Sequence, residues 1–244
     1  MPAPLTRLGR RAALVATLLG ALAAVPAAQA SLDGVDGTGF VLGAWPGHQY
    51  LPGRAANVRS PAPPPGAPSR VAMRFTVTHG QEPIYRGTRS EVATPNLWRE
   101  GGVVWADWWM RVGTSWPAAD AWQIITQWHL DGPPSQPVLI FDARDNRLQF
   151  ATSAGSDWTR RWRAPLVRGR WYHFVLGARF STEPAHGWVT LSVDGRQVVP
   201  RTATALLQPG RAVYLKQGYY RDPAIVPAGS VFISGTRLSA TPPR

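Results

Sequence analysis

A chain of 244 residues with a formal charge of +12 is strongly basic, which favours polyanionic partners such as nucleic acid, anionic membranes or acidic polysaccharide. The absence of cysteine excludes disulfides and thiolate metal sites. Twenty-four glycines and 24 prolines, with no long helical period, exclude a helix bundle, and 12 tryptophans supply material for a large core.

Residues 1–30 read as a secretory signal. Arg7, Arg10 and Arg11 form a basic start, Ala12 to Val25 is apolar but too short to span a bilayer, and Ala28-Gln29-Ala30 fits a cleavage site. The Arg10-Arg11 pair leaves open a twin-arginine route. The expected product is secreted or periplasmic and has no membrane segment. Removing three arginines and no acid leaves it at +9.

Residues 31–70 are rich in Gly, Pro and Ala, with a stiff Pro61-Ala62-Pro63-Pro64-Pro65 run. They are expected to supply an N-terminal strand and a long connection, and to form one domain with residues 71–244. From Val71 onward strand signals recur: Val71 to Val77, Val103 to Val112, Ala121 to His129, Val138 to Asp142, Leu148 to Thr152, Trp171 to Ala178, Trp188 to Val193, Gln197 to Val199, Val213 to Arg221 and Val231 to Leu238. Asp145-Asn146 and Asp194-Gly195 are turn signals between paired strands. This pattern predicts an all-β, two-sheet antiparallel β-sandwich of the jelly-roll type.

Three strands carry polar pairs spaced i, i+2, which share a face in a strand. Arg89 and Glu91 form one, and Gln127 and His129 form another, with Trp122, Ile124 and Trp128 expected on the opposite side. The third lies in Tyr214-Leu215-Lys216-Gln217-Gly218-Tyr219-Tyr220-Arg221, where Tyr214, Lys216, Gly218 and Tyr220 share a face. Lys216 is the sole lysine, a compact titratable amine in a chain that otherwise uses arginine. Each pair alone also fits a surface ion pair or an exposed edge.

Arg89-Ser90-Glu91, Gln127-Trp128-His129 and the Tyr214–Arg221 segment occur in an order and spacing that resemble jelly-roll polysaccharide lyases. That concanavalin A-like group includes family 7 alginate lyases, family 20 glucuronan lyases and heparin lyase I. The resemblance covers roughly residues 70–240. Gln-Trp-His looks more like the glucuronan and heparin branch, since the alginate enzymes typically show Gln-Ile-His or Gln-Val-His. Val92-Ala93-Thr94 also lacks the further residues that the alginate branch carries after Arg-x-Glu. The resemblance implies β-elimination on a uronic-acid polysaccharide, with His129 and Tyr214 as acid and base. Tyr214 is the expected acid, and the base is His129 or an ionised Tyr214.

Arg89 and Gln127 suit neutralisation of the uronate carboxylate, because a guanidinium offers a planar fork and an amide a neutral donor. Lys216, Tyr220, Glu91 and Arg221 are the expected substrate-binding residues, with Glu91 orienting Arg89. No metal is expected in catalysis. Asp33, Asp36 or Asp222 could donate oxygens to a structural calcium. The expected partner is an acidic polysaccharide, met by a monomer, rather than nucleic acid. The Arg160-Arg161-Trp162-Arg163 run, with Arg168 and Arg170 beyond it, interleaves basic and aromatic residues as single-strand binders do. In an exported protein it fits an acidic glycan or a solvated loop better. Two rival readings remain: a lectin-like binding module, which needs no acid and base, and a glycoside hydrolase, which needs paired carboxylates.

Overall fold

Every regular element after the first few described residues is a strand. A computed structural model describes residues 42–59, 66–67, 70–133, 136–153, 155 and 157–243. The signal-like segment, Asp33, Asp36 and the Pro61–Pro65 run lie outside the described residues. A short 3-10 turn, Leu42–Ala44, precedes the first strand.

Two seven-stranded antiparallel sheets pack face to face in a jelly roll. Across the first sheet, the strand order is β1 (Gly47–Gln49), β4 (Thr88–Ala93), β13 (Val213–Arg221), β6 (Gln123–Leu130), β7 (Pro137–Arg144), β8 (Arg147–Ser153) and β9 (Trp158–Pro165). The second sheet runs β12 (Arg196–Ala203), β11 (Trp188–Val193), β10 (Trp171–Arg179), β5 (Val103–Val112), β14 (Gly229–Ser239), β3 (Val71–Val77) and β2 (Ala55–Arg59). The segment before Val71 therefore supplies two short strands, one to the edge of each sheet.

Alternation explains the layering. In β5, Val104, Ala106, Trp108, Met110 and Val112 are buried while the residues between them are partly exposed. Trp108 stacks on Phe174 at 5.2 Å between ring centroids, meets Phe141 edge-on at 5.2 Å and lies 6.0 Å from Trp128. Side chains from both sheets thus lock into one aromatic core, and truncating such a tryptophan costs about 3–5 kcal/mol. The tight hairpins are also legible locally. Asp145 and Asn146 (φ 49° and 51°) and Asp194 and Gly195 (φ 50° and 78°) take the left-handed conformation that matches strand twist.

Two bulges change the expected faces. In β6 the pairing with β7 shifts between Ile124 and Thr126, so Ile125 turns into the core. Ile124, expected opposite Gln127, therefore shares its face, opposite Tyr220 and Asp142. Trp122 likewise packs against Tyr220, at 4.6 Å, rather than on the Trp128 side. Of the two readings of the arginine run, an acidic-glycan contact or a solvated loop, the loop does not hold, because the run lies on strand β9, whose pairing with β8 shifts between Phe150 and Ala151.

Candidate active site

β4, β13 and β6 lie side by side, and their register brings the three polar pairs together on the outer face of the first sheet. Tyr214 is directly opposite His129, and Lys216 is directly opposite Gln127. On the other side of β13, Tyr220 is opposite Arg89 and Gly218 is opposite Glu91. Antiparallel partners point to the same face, so the face carries parallel rows. One row holds Tyr214 and His129, the next Lys216 and Gln127, and a third Arg89, Tyr220 and Ile124. Glycine at 218 is required by space, since a Cβ there would lie 2.2 Å from the Ser90 carbonyl oxygen.

Glu91 is the centre of the polar floor. It is fully buried at 0 % exposure, and its two carboxylate oxygens are divided between two donors. Arg89 Nη1 donates to Oε2 at 3.2 Å, and Gln127 Nε2 donates to Oε1 at 2.7 Å. Arg89 Nη1 also donates to Gln49 Oε1, on β1, at 3.1 Å. The two expected carboxylate neutralisers therefore already hold a carboxylate, Glu91's own. Tyr220 roofs the Arg89 guanidinium at 3.7 Å, leaving it 3 % exposed, and its Nε has no acceptor among the described residues. Arg89 thus contributes mainly charge to the floor, while Glu91 orients both it and Gln127.

Lys216 is also only 3 % exposed. Burial lowers its ammonium pKa from the ordinary lysine value, and the nearby Glu91 carboxylate opposes that shift. Its Nζ lies 5.4 Å from the centre of the Tyr214 ring. The sole lysine therefore stands between the anionic centre of the floor and the phenol.

His129 has a defined tautomer. Its Nδ1 lies 2.9 Å from the Leu130 carbonyl oxygen, which can only accept, so the proton is on Nδ1 and Nε2 carries the lone pair. Burial lowers its pKa to about 4; the Leu130 bond opposes that shift, and the positive charges of Lys216, Arg89 and Arg211 reinforce it. His129 is neutral at neutral pH. Its ring centre is 5.5 Å from that of Tyr214.

Arg221 does not join this group. Its side chain is buried on the opposite side of β13, where Nη1 donates to the Tyr219 hydroxyl at 3.3 Å and to the Pro227 carbonyl. Tyr219 donates in turn to Gln123 Oε1 at 2.6 Å. Alternation accounts for the reversal, because Arg221 has the parity of Leu215, Gln217 and Tyr219. It ties the strand to the interior, away from the face that carries the other site residues.

Three residues missed in the sequence complete the face. Gln49 steadies Arg89, Trp122 backs Tyr220, and Tyr85 stands beside Arg89 with its ring centre 5.6 Å from the guanidinium carbon. Tyr85 is 84 % exposed and has a φ of 61°, left-handed for a bulky residue. Such a conformation costs on the order of 1–2 kcal/mol. Only short-range signals surround these three, and nothing in their spacing links them to the motifs.

Among the described residues, no three His, Asp or Glu side chains are grouped to hold a metal ion. Asp222 Oδ1 accepts from the Ala224 amide at 2.9 Å, capping a turn. A cavity of about 600 Å³ opens elsewhere, lined by Trp162, Tyr172, Val193 and Val198, and includes none of the site residues.

A jelly-roll sandwich with a cation, an amide, an imidazole and a phenol on one sheet face defines a class: β-sandwich proteins with acid–base side chains on a strand surface. The chain belongs to the polysaccharide lyase family, whose family model matches residues 60–237. Among solved structures, it is similar to endo-β-1,4-glucuronan lyase from the fungus Trichoderma reesei. That match has a TM-score of 0.69 and 17 % identity over 84 % of this chain and 94 % of the other. The family 7 alginate lyase A1-II' superposes with a TM-score of 0.57 and 14 % identity, covering 80 % and 86 % of the two chains. The catalytic domain of a glycoside hydrolase family 131 protein from Coprinopsis cinerea gives 0.52 and 14 %, covering 71 % and 72 %. At these identities the superpositions speak for the fold alone. No curated protein sequence matches the chain. Membership of the family makes this protein a polysaccharide lyase.

Proposed function

We propose that the protein is exported and cleaves a uronic-acid-containing anionic polysaccharide by β-elimination, acting as a monomer within the chain of the polymer. The observation that carries the reading is the direct pairing of Tyr214 with His129 in the row next to Lys216 and Gln127. Elimination breaks the C5–H bond, forms the C4=C5 double bond and expels the C4 oxygen, which must take up a proton. The C5 proton is weakly acidic because charge develops on the neighbouring carboxylate, so the site must stabilise that charge as it grows. Gln127 and Lys216 supply donors from the row next to the reacting pair, and Arg89 adds positive charge from beneath. No metal is needed for this step.

A histidine with a pKa of about 4 is a feeble base at neutral pH. In its ionised form, which the neighbouring Lys216 ammonium favours, Tyr214 accepts the C5 proton, and the phenol so formed returns that proton to the leaving oxygen. One group serves both steps only when the C5 proton and the C4 oxygen lie on the same side, which is a syn elimination. Neutral His129 flanks the reacting bond without adding charge. A glucuronate polymer fits this arrangement, with heparin-type and alginate chains as further substrates to be compared.

Among the described residues, the hydrolase reading lacks a second carboxylate close to Glu91. Asp142, the next acid on this face, lies three strand spacings from Glu91, roughly 14 Å, whereas paired glycosidase carboxylates stand no more than about 9.5 Å apart. The test is incubation with polyglucuronate, alginate and heparin while following the ultraviolet absorbance of the new double bond. Tyr214→Phe is expected to abolish that absorbance while the protein stays folded. Release of reducing ends without it would overturn the reading in favour of hydrolysis.

A further inference from the structure

The arginine run on β9 is left unexplained by the acid–base site, yet its register ties it to the same face. Following direct partners across the sheet from Lys216 leads to Gln127, Ile140, Ala151 and then Arg160. The neighbouring row runs from Arg89 through Tyr220, Ile124, Asp142 and Gln149 to Arg163. Without the bulge in β9, residues three apart would point to opposite faces. The extra residue, Arg161, breaks the alternation, so Arg160 and Arg163 both stand on the site's face. Arg161 instead donates to the Thr152 and Thr204 hydroxyls at 3.0 and 3.2 Å, and Trp162 packs against the core.

Between the two ends the middle row is floored by the apolar side chains of Ile140 and Ala151. Both arginines are exposed, and Arg160 Nη1 is steadied by Gln149 Oε1 at 3.3 Å. Trp158, 44 % exposed, pairs with Ser153 and shares the face of Arg160 two residues further along β9. The acid within the row that ends at Arg163 is Asp142. It is buried, and that burial raises its carboxyl pKa to about 6 although Arg144, Arg160 and Arg163 pull the other way. The far end of the face is therefore basic, aromatic-edged and three strand spacings from Gln127, roughly 14 Å. That is the span of a few sugar rings.

We propose that Arg160 and Arg163, with Trp158 as a ring platform, form a distal anion site that grips a second uronate of the same polymer, several residues from the bond being broken. The proposal rests on reading the face as a polyuronate site, but it concerns binding and can be tested without turnover. It also means that the enzyme favours chains long enough to reach β9 over short oligomers.

The experiment measures binding of polyglucuronate by affinity electrophoresis and calorimetry at several salt concentrations, for the full chain and two charge-matched double variants. Arg160→Gln/Arg163→Gln is expected to weaken binding by roughly five- to thirty-fold, as loss of one or two exposed charge-assisted contacts predicts. Its binding should also fall less steeply with added salt. Arg74→Gln/Arg201→Gln removes the same charge from exposed positions on the second sheet and should bind as the parent does. Equal weakening of both variants would mean that net charge alone is at work and would overturn the proposal. So would unaltered binding by Arg160→Gln/Arg163→Gln. If the parent binds through these arginines but forms no double bond, the distal site stands and the lyase reading of the near site falls.

Discussion

Removing the charge of Glu91 tests whether the buried floor is held by electrostatics. Glu91→Gln keeps the shape of the side chain but leaves Arg89 and Lys216, each 3 % exposed, without a counter-charge. It also turns an amide NH2 toward either Arg89 or Gln127, which now donate at 3.2 and 2.7 Å. Breaking a buried ion pair by deleting one partner costs about 3–5 kcal/mol, mostly because the remaining ion stays desolvated. Tyr220 and Tyr85 prevent Arg89 from swinging readily into water. The expected loss in urea unfolding is therefore about 3 kcal/mol for Glu91→Gln, with the slope of the transition unchanged. The double variant Arg89→Met/Glu91→Gln removes both ions and should be no less stable than Glu91→Gln alone. A loss under about 1 kcal/mol, or a double variant losing the sum of the two single effects, would refute this account of the floor.

Three further outcomes rest on the same geometry. His129 is neutral down to a pH of about 4, so kcat/KM on polyglucuronate should show no acid limb near 6.5 that vanishes in His129→Asn; such a limb would show an imidazolium forming in the working range. Asp142 holds its proton up to about 6, against 3.8 for a free carboxyl, so the folded state binds the extra proton and stability falls as pH rises between those values. Asp142→Asn should therefore gain about 2–3 kcal/mol at pH 7 and nothing below pH about 4, measured by thermal melts across that range. Tyr85→Gly relaxes a left-handed residue and should raise stability by about 1 kcal/mol while raising KM for polymer, if the ring meets substrate; an unchanged KM would make Tyr85 a bystander.

Much of the fold was legible because its signals are local. Alternation in Val103–Val112 and the paired turn residues at Asp145-Asn146 and Asp194-Gly195 each act within a few residues, and the strands formed there. The i, i+2 spacing of Arg89 with Glu91, of Gln127 with His129 and of Tyr214 with Lys216 settles that each pair shares a face, since side chains alternate along a strand. Arg221 shows the limit of motif matching without that rule, because its parity already placed it on the interior side.

What the amino-acid order could not decide is which strands become neighbours and where alternation slips. Tyr214 meets His129 across 85 residues only because β13 inserts between β4 and β6, a pairing set by how two sheets bury one aromatic core. Glu91 becomes the shared acceptor of Arg89 and Gln127 for the same reason. The bulges at Ile125 and Arg161 shift side chains by one place, which moves Ile124 and one of the β9 arginines onto the site's face. A bulge is selected by the packing of neighbouring strands, so its effect is not written in any one strand's own residues. Composition and spacing thus determined the chemistry on offer, and strand order and two slipped registers decided where that chemistry meets.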